Sequence, residues 1–509
     1  DSGPVQGLEY RPCHEQGEPV SVNKRLKICL VSAEFSSLAK TGGLADVTAA
    51  LTRHFVDAGH DCRVLVPYCE PWVAADLETE TVPVLEDMEL LLGGRSFEYS
   101  IVRAQMAKQG PAVYLLRCPE LYADSDLYRG ADEHLRFILL SRAAIEMCQR
   151  LKFAPDIFHC HDWHTALIPI YLKTCYVWDR LFAASRTVLT IHNIGFQGVF
   201  GAGILYETGL SSSPEMLDQG DLAADRINFL KTGIMYADLL TTVSPTYARE
   251  ILEPEYGMGL ETLLQERRGS LVGILNGVDY EEWSPDQDPL IDHSYSSRDM
   301  TGKEKNKQAV MEELGLEYVF DRPLVGMISQ LIYQRGIELI QQVLPGLLEE
   351  RNFSLAVLGQ GEPHHERFFQ WLNAQHPARV SFSKGFDNRL AHRLAAGSDL
   401  LLMPSRYEPC GLFQMYGLRY GTVPVVRATG GLADSVQHFD VGSGEGTGIV
   451  FHDFDANGLR WAMNASLDLY ARKNAWRRIV FNGMERNYSW AEQGDLYVKA
   501  FRKVLRDRR

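Results

Sequence analysis

Four short stretches carry residues suited to an anionic, hydroxyl-rich substrate. The first is Lys40-Thr41-Gly42-Gly43, a lysine directly ahead of a Gly-Gly helix start. It matches neither Gly-x-Gly-x-x-Gly nor a P-loop. Two glycines let backbone approach a ligand, and the helix behind them offers free N–H groups to an anion. Lys40 and the Gly43 amide can there grip a diphosphate; a solvated lysine beside a tight turn is the plainer alternative. The second stretch is His159-Cys160-His161-Asp162-Trp163-His164 at a strand end. Three histidines and a cysteine suggest a metal, but adjacent strand residues point to opposite faces and cannot all reach one ion. Asp162 either accepts hydrogen bonds from sugar hydroxyls or caps the helix that follows. The third is Thr190-Ile191-His192-Asn193-Ile194-Gly195, where His192 and Asn193 can bond a sugar or simply complete a turn. The fourth, Pro404-Ser405-Arg406-Tyr407-Glu408-Pro409-Cys410-Gly411-Leu412, puts Glu408 ahead of a helix expected to start near Cys410. A carboxylate there takes sugar hydroxyls, and the helix N–H groups take phosphate oxygens.

Residues of this kind need rigid strand ends to hold them. Apolar runs at Lys27–Val31, Arg63–Val66, Val113–Leu116, Ile157–Phe158, Val188–Ile191, Leu239–Val243 and Leu271–Leu275 read as buried strands, with helical spacing over 44–58, 133–151, 163–174 and 225–237. The alternation weakens over 284–303, rich in Ser, Asp and Pro, and then restarts. Leu324–Ile328, Leu355–Leu358, Leu400–Met403, Val423–Val426 and Ile449–Phe451 are the later strands. Strands alternating with helices imply parallel sheets covered on both faces. The expected plan is α/β, with two doubly wound domains facing across a deep cleft. Its parts are a flexible extension at 1–25, a first domain at 26–283, a linker at 284–322, a second domain at 323–485, and a terminal helix within 486–509 that packs back on the first domain. Thr41-Gly42-Gly43-Leu44-Ala45-Asp46 recurs as Thr429-Gly430-Gly431-Leu432-Ala433-Asp434, an echo consistent with two similar halves.

The chain has 509 residues, more than one core usually serves, and a formal charge of -15. That charge argues against nucleic acid and anionic membranes as partners, so an anionic substrate needs a local cationic site. No apolar run is long enough for a transmembrane helix. The nine cysteines are scattered without Cys-x-x-Cys, which reads as reduced thiols. Residues 1–25 lack the plan of a signal peptide.

Taken together, these motifs resemble the starch and bacterial glycogen synthases. Asn276-Gly277-Val278-Asp279 and Tyr416-Gly417-Leu418-Arg419-Tyr420-Gly421-Thr422 match as well, and the motifs run in the family's order from about residue 27 onward. The resemblance implies a GT-B fold of two Rossmann-like domains, transfer of glucose from ADP-glucose to the non-reducing end of an α-1,4-glucan with retention of configuration, and no metal or other cofactor. It implies that Lys40, Gly43, Asn276, Cys410, Gly411, Leu412, Thr429 and Gly430 bind the donor. Asp162, His192 and Glu408 serve the glucosyl group. Asp46, Asn193, Tyr256, Gly257 and Met258 lie toward the acceptor. Cytoplasm is the expected compartment, with plastid stroma the alternative.

One departure stands out. The family carries an arginine and a lysine on the donor diphosphate after the first strand of the second domain. Here the stretch reads Ser329-Gln330-Leu331-Ile332-Tyr333-Gln334-Arg335-Gly336. Gln330 stands at the arginine position and Arg335 at the lysine position. Gln330 offers only amide hydrogens, whereas Arg335 keeps a charge of another shape. A weak or inactive glucan-binding relative, acting in priming or recruitment, is therefore the alternative expectation.

Overall fold

The computed structural model describes residues 25–36, 38, 40, 42–69, 77–105, 110–123, 127–128 and 130–507. The extension expected over 1–25 thus lies outside the described residues except for Arg25, as does Thr41.

The first half contains β1 (Lys27–Val31), β2 (Asp61–Pro67), β3 (Thr79–Thr81), β4 (Met88–Leu92), β5 (Arg95–Ala104), β6 (Ala112–Arg117), β7 (Ile157–His161), β8 (Arg186–Ile191), β9 (Val199–Gly201), β10 (Arg226–Asn228), β11 (Leu239–Thr242) and β12 (Leu271–Gly273). Ten of them form one sheet in the order β12-β11-β8-β7-β1-β2-β6-β5-β3, with β4 on β5. The seven strands from β12 to β6 are parallel. β1 and β7 bury nearly every residue, as strands covered on both faces must. The second half holds β13 (Leu324–Leu331), β14 (Ser354–Gly361), β15 (Val380–Lys384), β16 (Leu400–Met403), β17 (Val423–Arg427) and β18 (Ile449–Phe451). Their order is β15-β14-β13-β16-β17-β18, all parallel. In both sheets the winding reverses beside the first strand, between β1 and β7 and between β13 and β16. Ligands bind at such points in open α/β sheets.

Some elements depart from the sequence reading. β4 and β5 form a hairpin whose two-residue loop, Gly93-Gly94, has φ +58 and +85. That geometry suits glycine and closes antiparallel strands. β4 alternates buried and exposed residues, so it packs one face only. The helix expected over 225–237 begins at Phe229, because Arg226–Asn228 pairs with β9 and the Asn228 side chain caps Lys231 N at 2.9 Å.

The stretch 284–322 is not slack linker. It contains the helix Thr301–Glu313, whose Lys303 and Lys307 are buried. Lys303 Nζ donates to Ala396 O, Tyr420 O and Thr422 Oγ1 at 3.0, 2.9 and 2.8 Å. Lys307 Nζ meets Asp399 at 2.8 Å. Burial pulls the Lys303 ammonium down to about 7. Polar residues that suggest a linker are spent on internal bonds of the second half.

The last helix, Trp490–Arg506, packs on the helix Gly43–Asp57, with Phe55 and Phe501 centroids 5.6 Å apart. Tyr497 and Phe501 lie against His159 of β7. The chain end therefore completes the core of the first half. Among the described residues no helix is long and apolar enough to cross a membrane. The eight described cysteines are all free thiols.

Candidate active site

Loops at the two winding-reversal points face one another. Asp162, directly after β7, has φ +55 and ψ -172, a conformation that suits glycine. The surrounding bonds hold it there. Its N–H donates to Thr190 O at 2.9 Å, and its carboxylate accepts from the His192 and Asn193 amides at 2.7 and 3.5 Å. It makes no side-chain cap to the turn that follows, so the capping alternative fails. Burial, with Glu34 nearby, pushes its carboxyl up to about 7.

His192 leans on His161, with Nε2 2.8 Å from Nδ1. His159 pairs elsewhere, its Nε2 2.7 Å from Thr190 Oγ1. His164 stacks among Tyr128, Phe137 and Trp163. The cluster thus separates into structural and site-facing members, and its histidines do not converge on one ion. Glu362, His364 and His365, after β14, are the described group whose ligand atoms lie within 4.8 Å of one another. Gly198, of the Gln-Gly pair after β8, has φ +61, and any Cβ there would collide with the Trp163 ring.

Burial holds His159, His164 and His192 down to about 3 and His161 well below its ordinary value. The unfolded chain protonates them near pH 6.5. Between pH 6.5 and 3 the unfolded state therefore binds more protons, and stability falls as pH falls. Asp162 has the opposite sign, since its raised value makes the folded state hold the extra proton between about pH 4 and 7. Three or four histidines outweigh one carboxyl. The melting temperature is expected to decline from about pH 6.5 downward, as read by calorimetry; a flat profile to pH 4 would contradict neutral burial.

Before β16's loop comes Arg335, after β13. Its guanidinium pairs with the carboxylate of Glu408, which also accepts from Ser405 Oγ at 3.0 Å. Glu408 is buried. Burial draws Arg335 down to about 10, still charged at neutral pH. The helix expected at Cys410 starts at Phe413, since Gly411 turns at φ +68 and Gln414 Nε2 ties down Cys410 O and Gly411 O. The Cys410 thiol meets Asn276 and is pushed up to about 12 by burial. Asn276 Oδ1 is buried and has no partner among the described residues.

Across the cleft, Lys40 Nζ pairs with Asp46 at 2.7 Å, and a Cβ added to Gly43 would touch Leu412 at 3.5 Å. Asn193 Nδ2 donates to Gln334 Oε1 at 3.2 Å. The two halves thus approach at Gly43 beside Leu412 and at Asn193 on Gln334, the residue before Arg335. Gln330 lies exposed at the end of β13, in register with Gln360. Tyr256 OH lies 3.4 Å from Arg427. Met258 has φ +51 and its carbonyl accepts from Gln197, while Gly257 is pressed on Glu261.

Thr429 and Gly430, expected on the donor, hold a protein carboxylate instead. Glu250 accepts from Thr429 Oγ1 at 3.0 Å and from Gly430 N at 3.1 and 3.0 Å. In return, Asp434 accepts from Thr246 N and Oγ1 at 2.8 and 2.6 Å. Each of two short helices, Pro245–Glu250 and Gly430–Ser435, takes a carboxylate from the other. A donor reaching Thr429 must displace Glu250. Sequence reading missed Glu250, Gln334 and Glu34; the last accepts from Gly42 N at 3.1 Å beneath the Lys40 loop. Their common signal was an acid or amide close to a turn already singled out.

Comparison with known proteins gives the chain relatives along nearly its whole length. Residues 27–266 match the family described as starch synthase catalytic domain, and residues 317–480 match glycosyl transferases group 1. The chain is 39% identical over 482 residues to a glycogen synthase of Streptococcus sanguinis, covering 94% of this chain and 100% of that one. It is 39% identical over 492 residues to glycogen synthase 2 of Geobacter sulfurreducens, covering 95% and 100%. The catalytic domain of starch synthase IV from Arabidopsis thaliana, solved with ADP and acarbose, superposes with a TM-score of 0.87 at 31% identity, over 95% of this chain and 100% of that one. A sucrose-phosphate synthase from Thermosynechococcus elongatus shares the fold at TM-score 0.56 and 17% identity.

Proposed function

Because this chain belongs to the starch and glycogen synthase family of glucosyltransferases, with its GT-B fold, we propose that it lengthens α-1,4-glucan from ADP-glucose with retention of configuration. The observation that carries the reading is the buried Arg335–Glu408 pair, whose loop is joined to the strand end of Asp162 and His192 by the Asn193 Nδ2 bond to Gln334 Oε1. The ADP in the starch synthase IV structure supports the choice of donor.

The hard step is breaking the bond from glucose to phosphate. Positive charge develops on the sugar and negative charge on the leaving diphosphate. Arg335 and Lys40 meet the latter, and fixed charges cost no reorganisation as the bond breaks. Glu408 and Asp162 take sugar hydroxyls. Both carboxylates are already committed to hydrogen bonds, which favours front-side attack over a covalent glycosyl-enzyme. The acceptor 4-hydroxyl attacks C1 on the side the diphosphate leaves, and its proton passes to a phosphate oxygen. Closure of the halves keeps water from the donor.

The protein's own cations supply the charge in this mechanism, so no metal is assigned a role. The compartment proposed is the cytoplasm, on the likeness to bacterial glycogen synthases. The test is transfer of labelled glucose to glycogen from ADP-glucose beside UDP-glucose, with and without EDTA. Faster transfer from ADP-glucose, insensitive to EDTA and giving α-amylase-digestible product, is the expected result. A preference for UDP-glucose would overturn the donor assignment, and loss with EDTA the metal-free mechanism.

A further inference from the structure

Just past β14 the chain reads Gly361-Glu362-Pro363-His364-His365-Glu366, and none of these side chains has a part in the mechanism above. Pro363 opens the helix Pro363–Gln375, with Glu362 at its cap position. The Glu362 side chain makes no cap bond, so its carboxylate is not spent on the helix start. One oxygen, Oε1, accepts from the Tyr333 amide at 3.1 Å. The other, Oε2, lies 3.7 Å from His364 Nδ1. The His364 and His365 rings lie side by side, centroids 3.9 Å apart and planes inclined by 44°. One ligand atom from each of these three residues falls within 4.8 Å of the others. Glu366 is engaged elsewhere, accepting from Gly361 N at 3.1 Å and pairing with Lys384 at 2.7 Å.

The surroundings suit a bound ion. His365 is buried, while the His364 side chain is 55% exposed, which leaves one open side for entry. Burial, with His364 beside it, keeps the His365 imidazole below its ordinary value, so the ring is neutral at pH 7 and has a lone pair to give. The Gln341 amide lies 3.4 Å from His365 Nδ1, the kind of outer partner that orients a metal-bound histidine. Glu338 also acts on this ring, and its Oε2 is buried without a partner among the described residues.

The donor set selects among ions. Two imidazole nitrogens and one carboxylate oxygen suit zinc and its neighbours in the transition series, whereas magnesium and calcium take oxygen. Bonds of about 2.0–2.2 Å set the ligand atoms of a tetrahedral zinc about 3.4 Å apart. Glu362 and His364 are already close to that separation, and the exposed His364 ring can turn to close the remainder. Water fills the fourth position.

We propose that Glu362, His364 and His365 form a site for a divalent transition ion of the zinc class. Its place gives it a consequence. Glu362 holds the Tyr333 amide, in the turn Tyr333–Arg335 that carries Arg335 to Glu408. An ion on Oε2 fixes the carboxylate that steadies this turn. The ion takes no part in the transfer step, since none of the three residues is assigned to donor or acceptor, and EDTA empties the site without stopping transfer.

The experiment titrates zinc chloride calorimetrically into the untagged full chain, freed of metal with EDTA and dialysed, beside His364→Ala and Glu362→Gln. The exposed His364 ring can be removed without opening the core, and glutamine keeps an acceptor for the Tyr333 amide. The parent is expected to bind one equivalent of zinc that each variant binds more than about tenfold more weakly. Magnesium in about tenfold excess leaves that zinc in place. Equal binding by parent and variants overturns the site, as does displacement of the zinc by magnesium. Melting curves without zinc check that each variant is folded, and Glu362→Gln decides if His364→Ala is not. No glucosyl transfer enters these readings, so the site stands or falls apart from the proposed function.

Discussion

Glu408→Gln is expected to lower glucosyl transfer about a thousandfold while the protein stays folded. The carboxylate holds Arg335 and Ser405 at once and is buried. The amide keeps the shape but removes the charge from two charge-assisted bonds and from the face offered to the sugar. Such bonds contribute about 1.5–3 kcal/mol each, and each 1.4 kcal/mol is tenfold in rate. Two of them give roughly 10²–10⁴. The guanidinium of Arg335 is about a quarter exposed, so water compensates part of what it loses and the stability cost is modest. Initial rates with labelled donor, beside a melting curve, check this. A variant that keeps more than about a tenth of parental turnover with an ordinary melting curve would remove Glu408 from the reacting centre.

Gln330→Arg is the second large effect, and it is a gain. Gln330 is the exposed penultimate residue of β13, five residues before Arg335 in the turn that follows the strand. A guanidinium there would add a full charge where the leaving diphosphate develops its own. One preorganised donor at such an anion is worth about 10²–10³ in rate. On the proposed mechanism Arg335 and Lys40 supply part of that field, so the expected rise in kcat is about tenfold. Steady-state rates with ADP-glucose measure it. An unchanged or lower kcat would mean that this strand end does not reach the diphosphate. Nothing in the comparisons with known proteins favours the binding-only alternative.

What could be read beforehand follows from how each signal arises. β1, β7 and β16 are short apolar runs ended by polar residues, and that pattern is local. Asp162, His192, Arg335 and Glu408 stand at strand ends, where this class of sheet puts its ligands, so motif and topology agreed. The 284–322 stretch misled because its serines, aspartates and prolines read locally as linker, whereas Lys303 and Lys307 find buried partners some 90 to 120 residues away. The strain at Asp162 was hidden for a similar reason, since two amides from another strand end impose it. The echo of Thr41–Asp46 in Thr429–Asp434 is real as sequence and divergent as structure. Asp46 stands in the first turn of a 15-residue helix and holds Lys40, while Asp434 is the last residue but one of a helix of six and reaches over to Thr246. No short-range pattern distinguishes the two.

The exchange of carboxylates between the helices Pro245–Glu250 and Gly430–Ser435 has a consequence for how the halves move. At this contact the two helices are joined by carboxylates on amides and hydroxyls, bonds that water can replace one for one. Attraction between a carboxylate and a helix start also weakens as salt accumulates. The hold of these two helices on each other is accordingly tied to the ions around it, and a diphosphate that bound at Gly430 as proposed would compete with Glu250 and loosen it from inside.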